Sequence, residues 1–87
     1  MQVVVEEEGR GIHPNEVVVA IRTAEGGVER LVVHRRSIEN ARLEIGYPIS
    51  EDGNNYLIEL PRETMRGLWR IWVSQKNVFD LKTRRSA

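Results

Sequence analysis

Turn-forming residues interrupt this chain so often that no apolar run is long enough for a stable isolated helix. Polar segments lie at residues 24–27, 50–55 and 74–77, and clusters of this kind mark turns. Six or seven short apolar runs lie between such signals, with a turn about every eight to twelve residues, which is typical of a β-barrel or sandwich. The spacing therefore predicts an all-β fold, and we expect a small barrel.

The densest apolar stretch, which holds both tryptophans, predicts two strands joined by a short connection. Residues 56–60 form the first strand, which ends at Pro61 because proline has no N–H for a sheet ladder. Pro61 suits the first position of a helix and Gly67 its left-handed end. One short helical turn is therefore predicted at residues 61–66, followed by a strand at residues 68–73.

The helical turn near residues 61–66 and the strand–turn–strand ending at residues 70–81 resemble parts of a small SH3-like barrel. The resemblance implies an SH3-like or related fold for the chain. A fold alone assigns no function, so the resemblance carries no prediction of activity.

Alternation along the late strand separates its side chains into two faces. Trp69, Ile71 and Val73 form a uniformly apolar set, which we expect to face the core. The other face carries Arg70 and Trp72. An exposed aromatic side chain beside an arginine marks a contact surface. The alternative is that Trp72 covers a second small cluster, or that a bulge reverses the register.

The rest of the chain predicts further short strands. Residues 16–23 and 28–35 form the clearest hairpin, because Gly26 and Gly27 between them accept a positive φ. Residues 1–11 are expected to form an edge strand or a loose arm, with a flexible joint at residues 9–11. We find no internal repeat in the sequence. The basic residues 82–87 are expected to fray.

The chain has 87 residues, which is one domain near the lower size limit for a self-sufficient core. Cysteine is absent, so disulfides and thiolate metal sites are excluded. A core of this size is often stabilised further by oligomerisation, so we expect a homodimer. No long apolar run or signal-peptide pattern occurs, so we expect a cytoplasmic protein that does not enter a membrane.

Formal charge is zero, which does not favour a strongly electrostatic nucleic-acid binder. Acids predominate in residues 1–29, with six against two bases, whereas residues 30–87 carry eleven bases against seven acids. This asymmetry could steer head-to-tail association or a partner. A single-stranded nucleic-acid-binding barrel is the alternative function, since arginines and aromatics can pair with phosphates and stack on bases. The residues for that surface are Tyr47, Trp72, Arg35, Arg36, Arg62, Arg66, Arg70, Arg84 and Arg85.

Signals for catalysis and metal binding are weak. His13 and His34 are the only histidines, they lie in different predicted elements, and no close-spaced acid completes a metal site. No nucleophile elbow or phosphate loop occurs. We therefore expect no enzyme, no cofactor and no metal, and a minor ligand-binding or enzymatic domain around His13 is the third hypothesis.

The sequence as a whole favours an all-β binding module that contacts a protein partner or a second copy of itself. An aromatic anchor beside an arginine gives affinity at low ordering cost. The predicted contact surface consists of Trp72, Arg70, Leu57, Glu59, Arg62 and Arg66.

Overall fold

The computed structural model describes residues 1–80, which contain ten short strands and two 3₁₀ turns. The predicted basic tail, residues 82–87, lies outside the described residues. The 3₁₀ turns are Arg35–Ser37 and Gln75–Asn77. The strands in chain order are β1 (Gln2–Val4), β2 (Glu6–Arg10), β3 (Glu16–Arg22), β4 (Val28–His34), β5 (Ile38–Glu39), β6 (Arg42–Glu44), β7 (Ser50–Asp52), β8 (Asn55–Glu59), β9 (Arg70–Ser74) and β10 (Val78–Phe79).

The strands pair antiparallel and form three small sheets. The central sheet has the order β10-β1-β6-β5, the first meander is β2-β3-β4, and the second meander is β7-β8-β9. The prediction of a mainly β fold is confirmed. Within residues 1–80 the ladders do not close into one barrel, so the SH3-like barrel stays a prediction.

The predicted hairpin is present in the first meander. β3 and β4 pair over their full lengths, from Glu16 opposite His34 to Arg22 opposite Val28. The turn between them contains Gly26 at φ +90°, a conformation that favours glycine. Alternate residues of both strands are buried, so one face of this hairpin packs into the core.

The acidic segment before the hairpin forms strand β2, which extends to Arg10. The prediction of a flexible joint at residues 9–11 is therefore wrong for Gly9 and Arg10. β2 pairs with β3 through a bulge between Glu7 and Gly9. A charged and bulged edge strand resists pairing with other chains. The glutamates also neutralise the neighbouring arginines, in the pairs Glu6–Arg22 at 3.8 Å, Glu7–Arg35 at 3.2 Å and Glu8–Arg30 at 2.6 Å.

The second meander includes a strand that the sequence pattern did not predict, because β7 is short and entirely polar and exposed. Ile71 and Val73 are buried as predicted. Trp69 is not, since 53% of its surface is exposed. Trp69 lies immediately before β9, so the buried face of this strand begins at Ile71 and does not include Trp69.

The helical turn predicted at residues 61–66 is wrong. This segment contains bends and a turn, and the two 3₁₀ turns lie elsewhere. Its backbone N–H groups find partners other than those of a helix: Met65 N donates to Arg30 O at 2.7 Å, and Arg66 N donates to Thr64 Oγ1 at 3.3 Å. The segment is therefore held against the edge of β4.

The structure contains an internal repeat that was not found in the sequence. In the central sheet, β5 pairs with β6 through Ile38 opposite Leu43, and β10 pairs with β1 through Val78 opposite Val3. Adding 40 to Val3 and Ile38 gives Leu43 and Val78, and the same offset relates β4 to β9, whereas β3 corresponds to β8 at an offset of 39. The order β10-β1-β6-β5 therefore maps onto itself in reverse when the halves are exchanged.

Two hydrogen bonds outside the ladders follow the same exchange. Val5 N donates to Ala41 O at 2.9 Å, and Ile45 N donates to Met1 O at 2.8 Å. Each 3₁₀ turn follows a residue with nearly the same dihedral angles, φ −68° and ψ 138° at His34, and φ −69° and ψ 140° at Ser74. The two halves are thus the same supersecondary unit, related by a pseudo-twofold exchange.

The core draws on both halves at matching positions. Its fully buried members include Val3 and Leu43 at the centre, Val19 opposite Leu31 in the first meander, and Ile58 in the second. Neither half presents a closed core alone, because β1 finds both of its strand partners in the other half. This interlocking fixes how the two meanders are placed.

Candidate functional site

Four of the six predicted contact residues lie together on the ladder between β8 and β9. Leu57 is opposite Trp72, and Glu59 is opposite Arg70. Directly opposed residues of an antiparallel pair project to the same face. We call this surface the outer face of the second meander.

Trp72 lies on this outer face because its neighbours occupy the core. Ile71 and Val73 are buried, whereas Trp72 is 36% exposed. Leu57 beside it is half-buried. The Arg70 guanidinium and the Glu59 carboxylate approach to 3.3 Å next to this apolar pair, and both side chains are more than half exposed.

The two remaining predicted residues form ion pairs with the first meander. Arg62 pairs with Glu16 at 3.5 Å and donates from Nη1 to Val32 O at 3.4 Å, so it joins the first meander. Arg66 donates from Nη2 to Glu29 Oε2. Arg66 still borders the outer face through a groove that it shares with Arg70 and Trp72.

An open groove of about 380 Å³ runs between the β3–β4 turn and β9. The residues of its other wall were not among the predicted contact residues, because they come from a distant hairpin. The signal that could have found them is the repeat, since Thr23-x-x-Gly26 and Thr64-x-x-Gly67 form the same turn. The groove is lined by Thr23, Glu25, Gly27, Val28, Glu29, Arg66, Leu68, Arg70, Ile71 and Trp72.

Glu29 is the buried charge of this groove, with 2% of its surface exposed. The hydrogen bond from Arg66 holds the pKa of Glu29 below its ordinary value, against the opposing effect of burial, and the Thr64 hydroxyl adds a smaller effect of the same sign. Its Oε1 is buried without a hydrogen-bond partner among residues 1–80. The same contact raises the pKa of Arg66.

Most of the described arginines in the predicted nucleic-acid surface form ion pairs. Of those proposed for nucleic acid, Arg35, Arg62, Arg66 and Arg70 each pair with a glutamate. Residues 1–80 hold thirteen acidic residues and ten bases, so their formal charge is negative. Arg84 and Arg85 lie outside the described residues.

His13 lies just before β3, and His34 is the last residue of β4. His13 is exposed in the turn before β3, where its backbone N donates to Glu16 Oε1 at 3.3 Å. His34 Nδ1 accepts a hydrogen bond from Arg36 N at 3.2 Å, so this nitrogen is occupied. No group of three metal-ligating side chains occurs in the described range.

Comparison of the chain with family models, with curated proteins and with solved structures found no match. In the part of the chain that the structure describes, no helix is long and apolar enough to cross a bilayer. The chemistry of the outer face and its groove therefore carries the functional argument.

Proposed function

We propose that this chain is a small β-structured binding module that recognises a protein surface through the outer face of its second meander. The observation that carries the proposal is Trp72, an exposed aromatic side chain fixed between buried neighbours and opposite Leu57. Rigid aromatic anchors flanked by polar groups concentrate binding energy in protein interfaces. A second copy of the chain is the first partner to test.

The finer description as an SH3-like barrel belongs to this proposal. It is supported by the short 3₁₀ turn between the last two strands of each half. A cytoplasmic location is likewise a prediction, which rests on composition. Nucleic acid remains the alternative partner, but the ion pairs of its candidate arginines do not favour it.

Sedimentation velocity over a wide concentration range tests the proposal. The wild-type chain is expected to increase in mass with concentration, and Trp72→Ala is expected to weaken association about tenfold or more. Trp69→Ala is the matched control, because Trp69 is also exposed but precedes β9. Unchanged association of Trp72→Ala would remove Trp72 from the interface.

A titration with short single-stranded oligonucleotides at low salt separates the alternative. Amide shifts around Arg66 and Trp72 that disappear as salt is raised would favour nucleic acid over protein. The absence of such shifts, together with association that depends on Trp72, is the result expected from the proposal.

A further inference from the structure

We propose that the outer edge of β9 binds an extended segment of a partner protein as an added β-strand, seated in the adjoining groove. The inference rests on the proposed function, because it names the chemistry of the partner for the same surface. It is carried by the internal repeat, which shows what occupies the equivalent edge in the other half.

The backbone of β9 presents hydrogen-bonding groups to the groove. Leu60 N donates to Trp69 O and Gln75 N donates to Asn54 O, both at 2.8 Å. These two bonds fix which residues of β9 bond to β8. The backbone N–H and C=O groups of Ile71 and Val73 face β8, and those of Arg70 and Trp72 face away from it.

One outward group of β9 is already bonded, since Trp72 O accepts from Ala24 N at 2.8 Å. Among residues 1–80, the Arg70 N–H, the Arg70 carbonyl and the Trp72 N–H have no hydrogen-bond partner. Unpaired strand edges of this kind accept additional strands.

In the first half, a segment of the chain contacts two outward carbonyls of the equivalent edge. Met65 N donates to Arg30 O at 2.7 Å, and Arg62 Nη1 donates to Val32 O at 3.4 Å. Arg30 and Val32 correspond to Arg70 and Trp72 under the 40-residue exchange. The molecule therefore already contains an irregular segment seated along this type of edge.

The two connections that reach these edges differ in length. Residues 60–69 join β8 to β9, whereas only residues 23–27 join β3 to β4. The shorter connection reaches β9 through one backbone hydrogen bond and leaves the groove beside it.

The residues that line the groove indicate which side chains a bound segment would carry. Val28, Leu68 and Trp72 expose apolar surface in it. The lining charges Glu29, Arg66 and Arg70 are each in an ion pair, whereas Glu25 is exposed and has no ion-pair partner in the described range. The fitting segment therefore carries an apolar side chain with a basic residue nearby.

Selection of random short peptides displayed on phage against the immobilised wild-type protein tests this inference. We expect recovered sequences to combine an apolar and a basic residue. A synthetic peptide of the recovered sequence should slow hydrogen exchange at the Arg70 and Trp72 amides. N-methylation of the peptide at alternate positions should weaken binding strongly for one parity and little for the other.

The matched protein variants are Arg70→Pro and Arg70→Ala. Both remove the side chain, but only proline removes the outward N–H, and the first residue of an edge strand tolerates proline. Binding is expected to fall about tenfold further in Arg70→Pro than in Arg70→Ala. Equal binding by the two variants, or N-methylation effects without parity, would overturn strand addition.

Failure of this inference is distinguishable from failure of the proposed function. Binding that depends on Trp72 but not on the Arg70 N–H removes strand addition and leaves the outer face as a contact surface. Recovery of no peptide overturns strand addition. If the mass of the wild-type chain is also independent of its concentration, the proposed function is contradicted.

Discussion

Glu29 shows at the residue scale how one ion pair joins the two halves of the fold. Its carboxylate lies on β4, and its partner Arg66 comes from the connection between β8 and β9. A buried carboxylate that loses its partner is an uncompensated charge in a poorly solvated place. The pair is therefore part of the packing of the β8–β9 connection against β4.

Arg66→Met is expected to lower the urea midpoint of unfolding at neutral pH more than Arg70→Met does, because Glu59, the partner of Arg70, is exposed. Arg66 lowers the pKa of Glu29 in the folded state. The stabilisation is therefore present above the ordinary pKa of about 4.5 and is lost as pH falls through the lowered folded value. The difference between wild type and Arg66→Met should shrink on acidification, and a constant difference would contradict this origin.

Ala41 is a second residue whose conformation has a measurable consequence. It has φ +59° in the β5–β6 turn, beside Asn40 at φ +53°. A left-handed conformation costs a non-glycine residue about 1–2 kcal/mol. Ala41→Gly is expected to raise the free energy of unfolding by about 0.5–1 kcal/mol after the entropy cost of glycine.

The control for Ala41→Gly is Ala24→Gly, because Ala24 is not in the left-handed region. This substitution should lower stability by about 0.5–1 kcal/mol. Chemical denaturation of both variants checks the sign, and destabilisation by Ala41→Gly would mean that the turn is not strained.

At the scale of elements, two threonine turns carry the connections between paired strands. Thr64 Oγ1 accepts from Leu68 N at 3.1 Å, as Thr23 Oγ1 accepts from Gly27 N at 3.1 Å. Gly67 has φ +88°, matching the glycine of the first turn. The same hydrogen bonds thus close connections of different length.

Thr64→Ala is expected to cost about 1–3 kcal/mol, because Thr64 is buried and its hydroxyl oxygen accepts from two backbone N–H groups. Thr23→Ala should cost about 1 kcal/mol or less, since Thr23 is half-buried and serves one such group. Thr64→Ser, which keeps the hydroxyl, should recover most of the loss in urea unfolding. Equal costs at the two positions would show that burial of the turn is irrelevant.

The whole molecule is a pair of equivalent units whose central strands interlock. β1 pairs with β6 and β10, and β6 pairs with β1 and β5, so each unit supplies the strand partners that the other lacks. The β5–β6 turn is the covalent link between the units. Its equivalent by the 40-residue exchange is the gap between β10 and β1.

A circular permutant that opens the chain between Asn40 and Ala41 and joins residue 80 to residue 1 is expected to fold. The register of Gln2 opposite Phe79 matches that of Arg42 opposite Glu39, so the new junction is a two-residue hairpin turn. Asn and Gly at the joined positions would supply the positive φ that such turns require. Amide spectra report the fold, and an unfolded permutant would contradict the equivalence of the two links.

Local pattern predicted much of this architecture. Gly26–Gly27 between apolar alternations predicted the β3–β4 hairpin, and alternation around Arg70 correctly assigned Ile71 and Val73 to the core. Local pattern failed for two strands whose residues are mostly charged or polar. The acidic β2 and the polar β7 are strands because a neighbouring strand pairs with them, which composition does not report.

The sequence by itself determined the mainly β character, the main hairpin and the outward position of Trp72, because side-chain alternation and turn chemistry are local properties. Only the tertiary structure decided the groove and the pairing of Arg66 with Glu29. These features depend on contacts between segments about 40 residues apart, and nothing in the local pattern of either segment specifies its partner. The open edge of β9 arises in the same way, since a hairpin turn from the other half contacts part of that strand.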